Sequence, residues 1–157
     1  MPDLNASAVS ADAAASGRGG GPGTIYLLVL ANYATRTRVE QVLKPFGLTG
    51  LQYSILSVVA RKEGLSSADL SRRFYATPQN MGQLLAGLEA RGFVRRQEDA
   101  SNRRVLRVEL TEEGGRLVRL GGEAMAELEA EIYKDFSEEE LAAFRASLQR
   151  LTRPVSR

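Results

Sequence analysis

The chain contains neither cysteine nor histidine. Without them there is no disulfide, no Cys/His zinc site, no thiolate nucleophile, no Ser-His-Asp triad and no imidazole acid or base. Long apolar runs are also missing. A stretch such as Ile25 to Ala31 falls far short of the roughly 20 residues needed to span a bilayer, so no membrane partner is expected. The N-terminus has Asp3 and Asp12 but only Arg18 as a basic residue, and no apolar stretch follows it. It does not resemble a secretory signal, and a cytoplasmic location is expected. What is present describes one soluble domain, with 157 residues of which 43% are apolar and 25% charged.

The net charge of +2 conceals a division. Residues 61–110 carry ten basic against six acidic side chains, whereas residues 111–157 carry seven against ten. The basic residues of the middle segment are nearly all arginine: Arg61, Arg72, Arg73, Arg91, Arg95, Arg96, Arg103, Arg104 and Arg107, with Lys62 the one lysine. Arginine suits phosphate because its planar fork donates two parallel hydrogen bonds. A polyanion is one reading of this segment; a solvated face with local ion pairs is the other.

Residues 1–23 are mostly Ala, Ser and Gly without an aromatic side chain. They cannot bury enough surface to offset their ordering entropy and read as a disordered tail. Their glycine cluster does not follow a strand and open a helix, as a dinucleotide or P-loop site would require, and no cofactor is implied. From Thr24 the apolar period is helical, with Ile25, Leu28, Val29, Asn32, Arg36, Val39 and Leu43 on one stripe up to Pro45–Gly47. Thr49 and Gln52 form a capping box for a second helix carrying Leu51, Ile55, Val58 and Val59, which stops at Gly64. Ser66 and Asp69 open a short third helix with Leu70 and Phe74 inward. Thr77 followed by Pro78 is an N-cap before a helix-compatible first residue; Met81, Leu84, Leu85 and Leu88 face inward and Gly92 closes the helix.

The period then changes to two. Phe93 to Gln97 and Val105 to Leu110 read as strands joined by a polar, basic-rimmed tip, so a β-hairpin is expected. A long helix from about Thr111 to Tyr133 follows, with Leu117, Leu120, Ala124, Leu128 and Ile132 on one side. Ser137 and Glu140 cap a last helix whose Leu141, Phe144, Leu148 and Leu151 form a coiled-coil-like seam in need of an outside partner.

Three helices followed directly by a β-hairpin form the order of a winged helix-turn-helix. The fold expected is mainly α with a small β-hairpin wing, and flanking helices that dimerise. With its apolar residues inward, the fourth helix presents Thr77, Gln79, Asn80 and Gln83 outward. Asn and Gln can bind adenine bidentately and Thr can touch a thymine methyl, which suits the major groove of double-stranded DNA; a plain solvated face is the alternative. Gly82 and Gly87 within that helix point to close approach either of DNA or of another helix. Arg103 and Arg104 at the hairpin tip suit a narrow minor groove, while Arg95, Arg96, Arg72 and Arg73 suit phosphates. A local ion pair of Asp99 with an arginine that stiffens the hairpin is compatible with both.

The stretch Leu48 to Val118, and within it Ser66-Ser-Ala-Asp-Leu-Ser-Arg-Arg, the run Thr77 to Arg96, Asp99-Ala-Ser-Asn-Arg-Arg and Val108-Glu-Leu-Thr-Glu-Glu-Gly, resembles the MarR family of bacterial transcriptional regulators. The resemblance implies a homodimer whose first and last helices dimerise, a recognition helix at Thr77 to Ala90, and a wing that puts Arg103 in the minor groove. On that pattern, residues 24–157 form a single domain, with dimerisation helices at 24–45 and 111–157 and a DNA-binding lobe at 48–110. The family often carries Asp-x-x-Asp-Arg-Arg at the wing tip; here Asn102 replaces the second Asp, leaving Asp99 as the acidic partner. The terminal apolar stripes argue independently for a second copy, since the middle of the chain can close its own core. Two copies would read a pseudo-palindrome with half-sites roughly 34–36 Å apart.

Members of the family commonly bind small aromatic or anionic effectors between the dimerisation helices and the DNA-binding lobe. Asn32, Tyr33, Arg36 and Tyr53 are the candidates here, with Arg36 facing an effector's carboxylate or phenolate; a structural salt bridge of Arg36 is the alternative. Two further classes stand beside the regulator. One is a winged-helix protein-interaction module without sequence-specific DNA binding, and the other is an enzyme. No paired carboxylates or nucleophile with a base favour an enzyme, and Glu138 to Glu140 fit capping and the helix dipole.

Overall fold

The computed structural model describes residues 22–99, 102 and 105–152. The capping signals read in the sequence are realised as geometry. Helix α1 (Thr24–Leu43) runs into a 3-10 turn at Lys44–Phe46. Helix α2 (Gly50–Arg61) starts at the Thr49/Gln52 capping box, α3 (Ser67–Arg73) at Ser66/Asp69, and α4 (Pro78–Ala90) at Thr77 with Pro78 as its first residue. Gly92, at φ +72°, takes the left-handed turn that ends α4, a conformation glycine adopts without steric cost. Strands β1 (Val94–Glu98) and β2 (Leu106–Leu110) pair antiparallel, Val94 opposite Leu110 and Glu98 opposite Leu106; β1 is shifted by one residue from the sequence-based range and β2 starts one residue later with the same end. Thr111 caps α5 (Glu112–Ile132), and Ser137 with Glu140 caps α6 (Glu138–Leu151).

One apolar core joins α2, α3, α4, the hairpin and the ends of the flanking helices. Ile55, Leu56, Leu70, Met81, Leu85, Leu88 and Val108 are fully buried in it. Helix α1 lends it Leu43 and α5 lends it Leu117 among the buried residues. The loop before α3 joins the sheet: the Val108 amide donates to the Leu65 carbonyl at 2.8 Å, and Ser66 bridges to Arg107. The helix-turn-helix and the wing are therefore one rigid unit.

One expectation about faces needs correction, that of Leu51 in α2, whereas the expected side of α5 is buried or half-buried and the α6 seam is uncovered within the chain, as expected. In α2, Leu51 is exposed and Leu56 is buried instead, because the helix packs against α1, α5 and β2 together. In α5 the buried side is Gly114, Leu117, Gly121 and Leu128, with Leu120, Ala124 and Ile132 half-buried. Glycines sit at the closest contacts: a Cβ on Gly114 would lie 2.0 Å from the Phe93 carbonyl oxygen, and one on Gly121 would lie 2.8 Å from the Tyr53 ring. In α6 no residue is buried, and Leu151 is 63% exposed. Phe144 turns to a small aromatic cluster with Tyr133 and Phe136 rather than into a seam within the chain. The stripe of α1 is likewise uncovered, from Ile25, 79% exposed, to Leu30 and Tyr33. The tail reading for residues 1–23 falls outside the described residues except at Pro22 and Gly23, and so do the tip arginines Arg103 and Arg104.

Candidate nucleic-acid interface

The outward face of α4 follows from its inward one. Met81, Leu85 and Leu88 are held in the core, which turns Gln79, Asn80 and Gln83 to solvent. The Thr77 hydroxyl oxygen accepts from the Asn80 amide at 3.2 Å, so its acceptor role is taken by the cap while its methyl group stays exposed. The result is an uncharged hydrogen-bonding surface at a helix N-terminus, where the helix dipole also favours phosphate. A Cβ on Gly82 or Gly87 would meet nothing within 4 Å, so nothing in this chain requires glycine at either place.

The turn leading to that helix is unusual. Tyr75 has φ 51°, the one positive value at a non-glycine among the described residues, and its ring is 72% exposed. Its hydroxyl donates to the Thr152 carbonyl at the end of α6 at 2.9 Å.

The strand arginines are engaged within the chain rather than free for phosphates. Arg95 stands opposite Glu109 and donates to it at 2.9 and 3.0 Å. Arg96 grips Glu89 on the last turn of α4 through its side chain and, at 3.2 Å, its backbone amide. The hydrogen bond from Arg96 holds the Glu89 carboxyl below the usual carboxylate range, and the same contact raises the Arg96 guanidinium. Arg72 pairs with Asp69 at 2.5 Å. The Ser66 hydroxyl and amide, with Arg72, keep Asp69 below its ordinary value against a small opposing effect of burial. Arg73 is exposed and forms no ion pair among the described residues.

The expected ion pair of Asp99 with an arginine is formed, and its arginine is Arg107, which was not among the candidate site residues. Its guanidinium donates to Asp99 at 2.7 Å and to the Gly64 carbonyl at 2.7 Å, with Asp69 3.9 Å away. Asp99 in turn accepts from the Asn102 amide at 3.0 Å. Arg107 thus ties the base of the wing to the loop before α3. The signal was the strict alternation of β2, which put Arg107 on the strand face opposite buried Val108.

Of the candidate effector residues, Tyr33 and Arg36 share a shallow groove along α1 with Thr37, Glu40 and Lys44, and Asn32 lies exposed one turn before Arg36. Tyr53 is not brought to this groove; its ring packs on Gly121 between α2 and α5. Among the described residues no group of three or more acidic, cysteine or histidine side chains could hold a metal, and no single helix is long and apolar enough to cross a membrane.

A recognition helix with an uncharged polar face, braced by a two-stranded wing, defines a winged helix-turn-helix protein of the DNA-binding class. Residues 46–105 match the MarR family. The chain is 31% identical over 126 residues, 80% of its own length and 91% of the relative's, to the HTH-type transcriptional repressor Rv2887 of Mycobacterium tuberculosis. It superposes on CouR from Rhodococcus jostii RHA1 bound to p-coumaroyl-CoA with a TM-score of 0.77 at 26% identity, covering 84% of this chain and 93% of that one. The S. aureus MepR-DNA complex shares the fold, with a TM-score of 0.73 at 24% identity over 82% and 94% of the two chains. The chain belongs to the MarR family of transcriptional regulators.

Proposed function

We propose that the protein is a homodimeric, sequence-specific repressor that binds a pseudo-palindromic operator in double-stranded DNA and leaves it when a small aromatic or anionic effector binds. The observation that carries this reading is the exposed face of Gln79, Asn80 and Gln83 on a helix fixed by the wing. Gln79, Asn80, Gln83 and the Thr77 methyl read base edges. Arg103 and, beside it, Arg104 enter the minor groove, and exposed Arg73 meets phosphate. Arg72, Arg95 and Arg96 act on DNA chiefly by setting the shape of the lobe, since each already has a carboxylate partner. A repressor role is supported by the name of the M. tuberculosis relative, and an effector by the ligand bound to CouR. Residues 24–45 and 111–157 serve as the dimerisation helices around the 48–110 lobe, which is supported by the uncovered apolar faces of α1 and α6. The effector groove is that of Tyr33 and Arg36 on α1, with Asn32 at its edge.

Selection of bound sequences from random duplex by the purified protein at about 150 mM salt, where non-specific binding is suppressed, tests the proposal. An enriched palindrome with half-sites about one helical turn apart is expected. A folded dimer that enriches nothing would favour the protein-interaction module instead. Arg36→Ala is expected to weaken effector-driven release while leaving operator binding intact; unchanged release would remove Arg36 from the effector site.

A further inference from the structure

Arg91 caps the C-terminal end of α4. Its Nη2 donates to the Gly47 carbonyl at 2.8 Å, 44 positions away in sequence, and its guanidinium lies over the Phe93 ring, 4.5 Å from the centroid. Phe93 is held in the core, so that ring is a fixed platform. Gly47 is fixed as well. It ends the 3-10 turn after α1 at φ +64°, and a Cβ on it would lie 3.0 Å from the Arg91 Nη2, so both its backbone conformation and the close approach favour glycine.

The Gly47 corner moves with α1. The Gly47 amide donates to the Lys44 carbonyl at 2.9 Å and the Leu48 amide to the Leu43 carbonyl at 3.3 Å, while Glu40 of α1 accepts from the Gly50 amide at the start of α2 at 3.2 Å. A second attachment runs from the same end of α4 to α5. The Thr111 hydroxyl donates to the Gly92 carbonyl at 2.6 Å, and the Thr111 amide donates to the Phe93 carbonyl at 3.1 Å. That hydroxyl oxygen also caps α5 by accepting from the Gly114 amide at 3.1 Å. Residues 91–93 therefore tie the end of α4 to both flanking helices, and Arg91 is the side chain that reaches the α1 corner. A guanidinium stacks with its face while its edge donates, which the compact ammonium of lysine does not do in the same geometry.

We propose that Arg91 is a positioning residue that fixes the setting of α4 relative to the dimerisation helices and thereby determines which half-site spacing the protein accepts, without itself touching DNA. This role rests on the dimeric DNA-binding reading given above. In a two-fold dimer the separation and relative rotation of the two recognition helices follow from how each lobe is attached to its own flanking helices. One base pair added or removed between half-sites displaces them by about 3.4 Å and rotates them by roughly 35°. A rigid attachment rejects that change, and a loosened one absorbs it.

The chain has no cysteine, so Ala86→Cys on the exposed side of α4 carries one spin label per protomer. The label-to-label distance distribution of the DNA-free dimer, measured by pulsed electron paramagnetic resonance, is expected to be narrow with Arg91 in place and to broaden or shift with Arg91→Ala and with Arg91→Lys. Arg91 lies at the surface, so both variants should keep the folded core. In a second arm, the selected operator is compared with versions whose spacing is changed by one base pair. The wild type should discriminate between them by at least about tenfold and the two variants by no more than about threefold, with base preference inside each half-site unchanged. An unchanged distance distribution in both variants overturns the proposal while the dimer stands, and so does Arg91→Lys behaving as wild type, because charge alone would then suffice. Uniform weakening at every spacing, with the salt slope reduced by about one, overturns it in favour of a phosphate contact. No inter-label distance with Arg91 in place would overturn the dimeric reading and this role with it.

Discussion

Single atoms decide several outcomes. Gly114 is in the first turn of α5, where a Cβ would fall 2.0 Å from the Phe93 carbonyl oxygen, which already accepts from the Thr111 amide at 3.1 Å. Backbone on both sides cannot yield, so Gly114→Ala is expected to destabilise the protein by about 1–3 kcal/mol in denaturant titration. Gly82→Ala should do the reverse. With open space around its Cβ, it gains up to about 1 kcal/mol of helix propensity, and the melting midpoint should rise by roughly 2–4 °C. A fall in midpoint would mean that an uncharted contact, such as one across a dimer, requires the glycine. On the DNA side, Arg103→Ala should weaken operator binding by about 1–3 kcal/mol, while Gln79→Ala should narrow the gap between operator and mutated sites more than it lowers affinity for random duplex. Equal affinity of Arg103→Ala and wild type at moderate salt would take the wing tip out of recognition.

At the scale of elements, α4 and the wing are locked by Glu89 with Arg96, and α3 is anchored by Asp69 with Ser66 and Arg72. Both carboxyls titrate below their ordinary values of 4.5 and 3.8 in the folded chain. A depressed folded value means that the unfolded chain takes up protons first. The stabilisation is complete above the unfolded value and disappears as pH falls through the folded one. Melting temperature should therefore drop as pH falls below the ordinary values of 4.5 and 3.8, and the Asp69→Asn, Glu89→Gln double variant should show a shallower slope over the same range despite a lower midpoint at neutral pH. Parallel slopes would show that other carboxylates govern acid stability. These locks also mark where the sequence stopped being informative. Helix starts are local: Thr49, Ser66, Thr77, Thr111 and Ser137 each meet a backbone amide three residues on, so they could be read directly. The Asp99–Arg107 pair lies within the hairpin, and an arginine partner for Asp99 was legible in the sequence, whereas the Glu89–Arg96 pair depends on how hairpin and helix meet, and periodicity carries no such information. For the same reason Arg95 and Arg96 read as free phosphate ligands, and the close glycine contacts of α5 at Gly114 and Gly121, beside the buried Leu117 and Leu128, were not legible.

The whole molecule poses a problem that one chain does not solve. Ile25 and the residues through Leu30 are exposed on every side of α1, and α6 buries nothing. A helix of this length with so little tertiary packing is marginal in water, so its N-terminal turns need a cover. The two uncovered elements are the first and the last, and a second copy offers both to each other symmetrically, closing the assembly instead of propagating it. Fully burying one leucine side chain contributes about 1.5–3 kcal/mol, and a two-fold interface counts it twice. Leu28→Glu should accordingly raise the dimer dissociation constant by about a hundredfold or more in sedimentation equilibrium, without disturbing the core formed by α2, α3, α4 and the hairpin. Operator affinity should fall with it, because a monomer engages one half-site and loses the linkage that makes the second half-site an intramolecular contact. A wild-type chain that sediments as a monomer at micromolar concentration yet selects a palindrome would break this chain of argument, leaving DNA itself as the agent that brings two copies together.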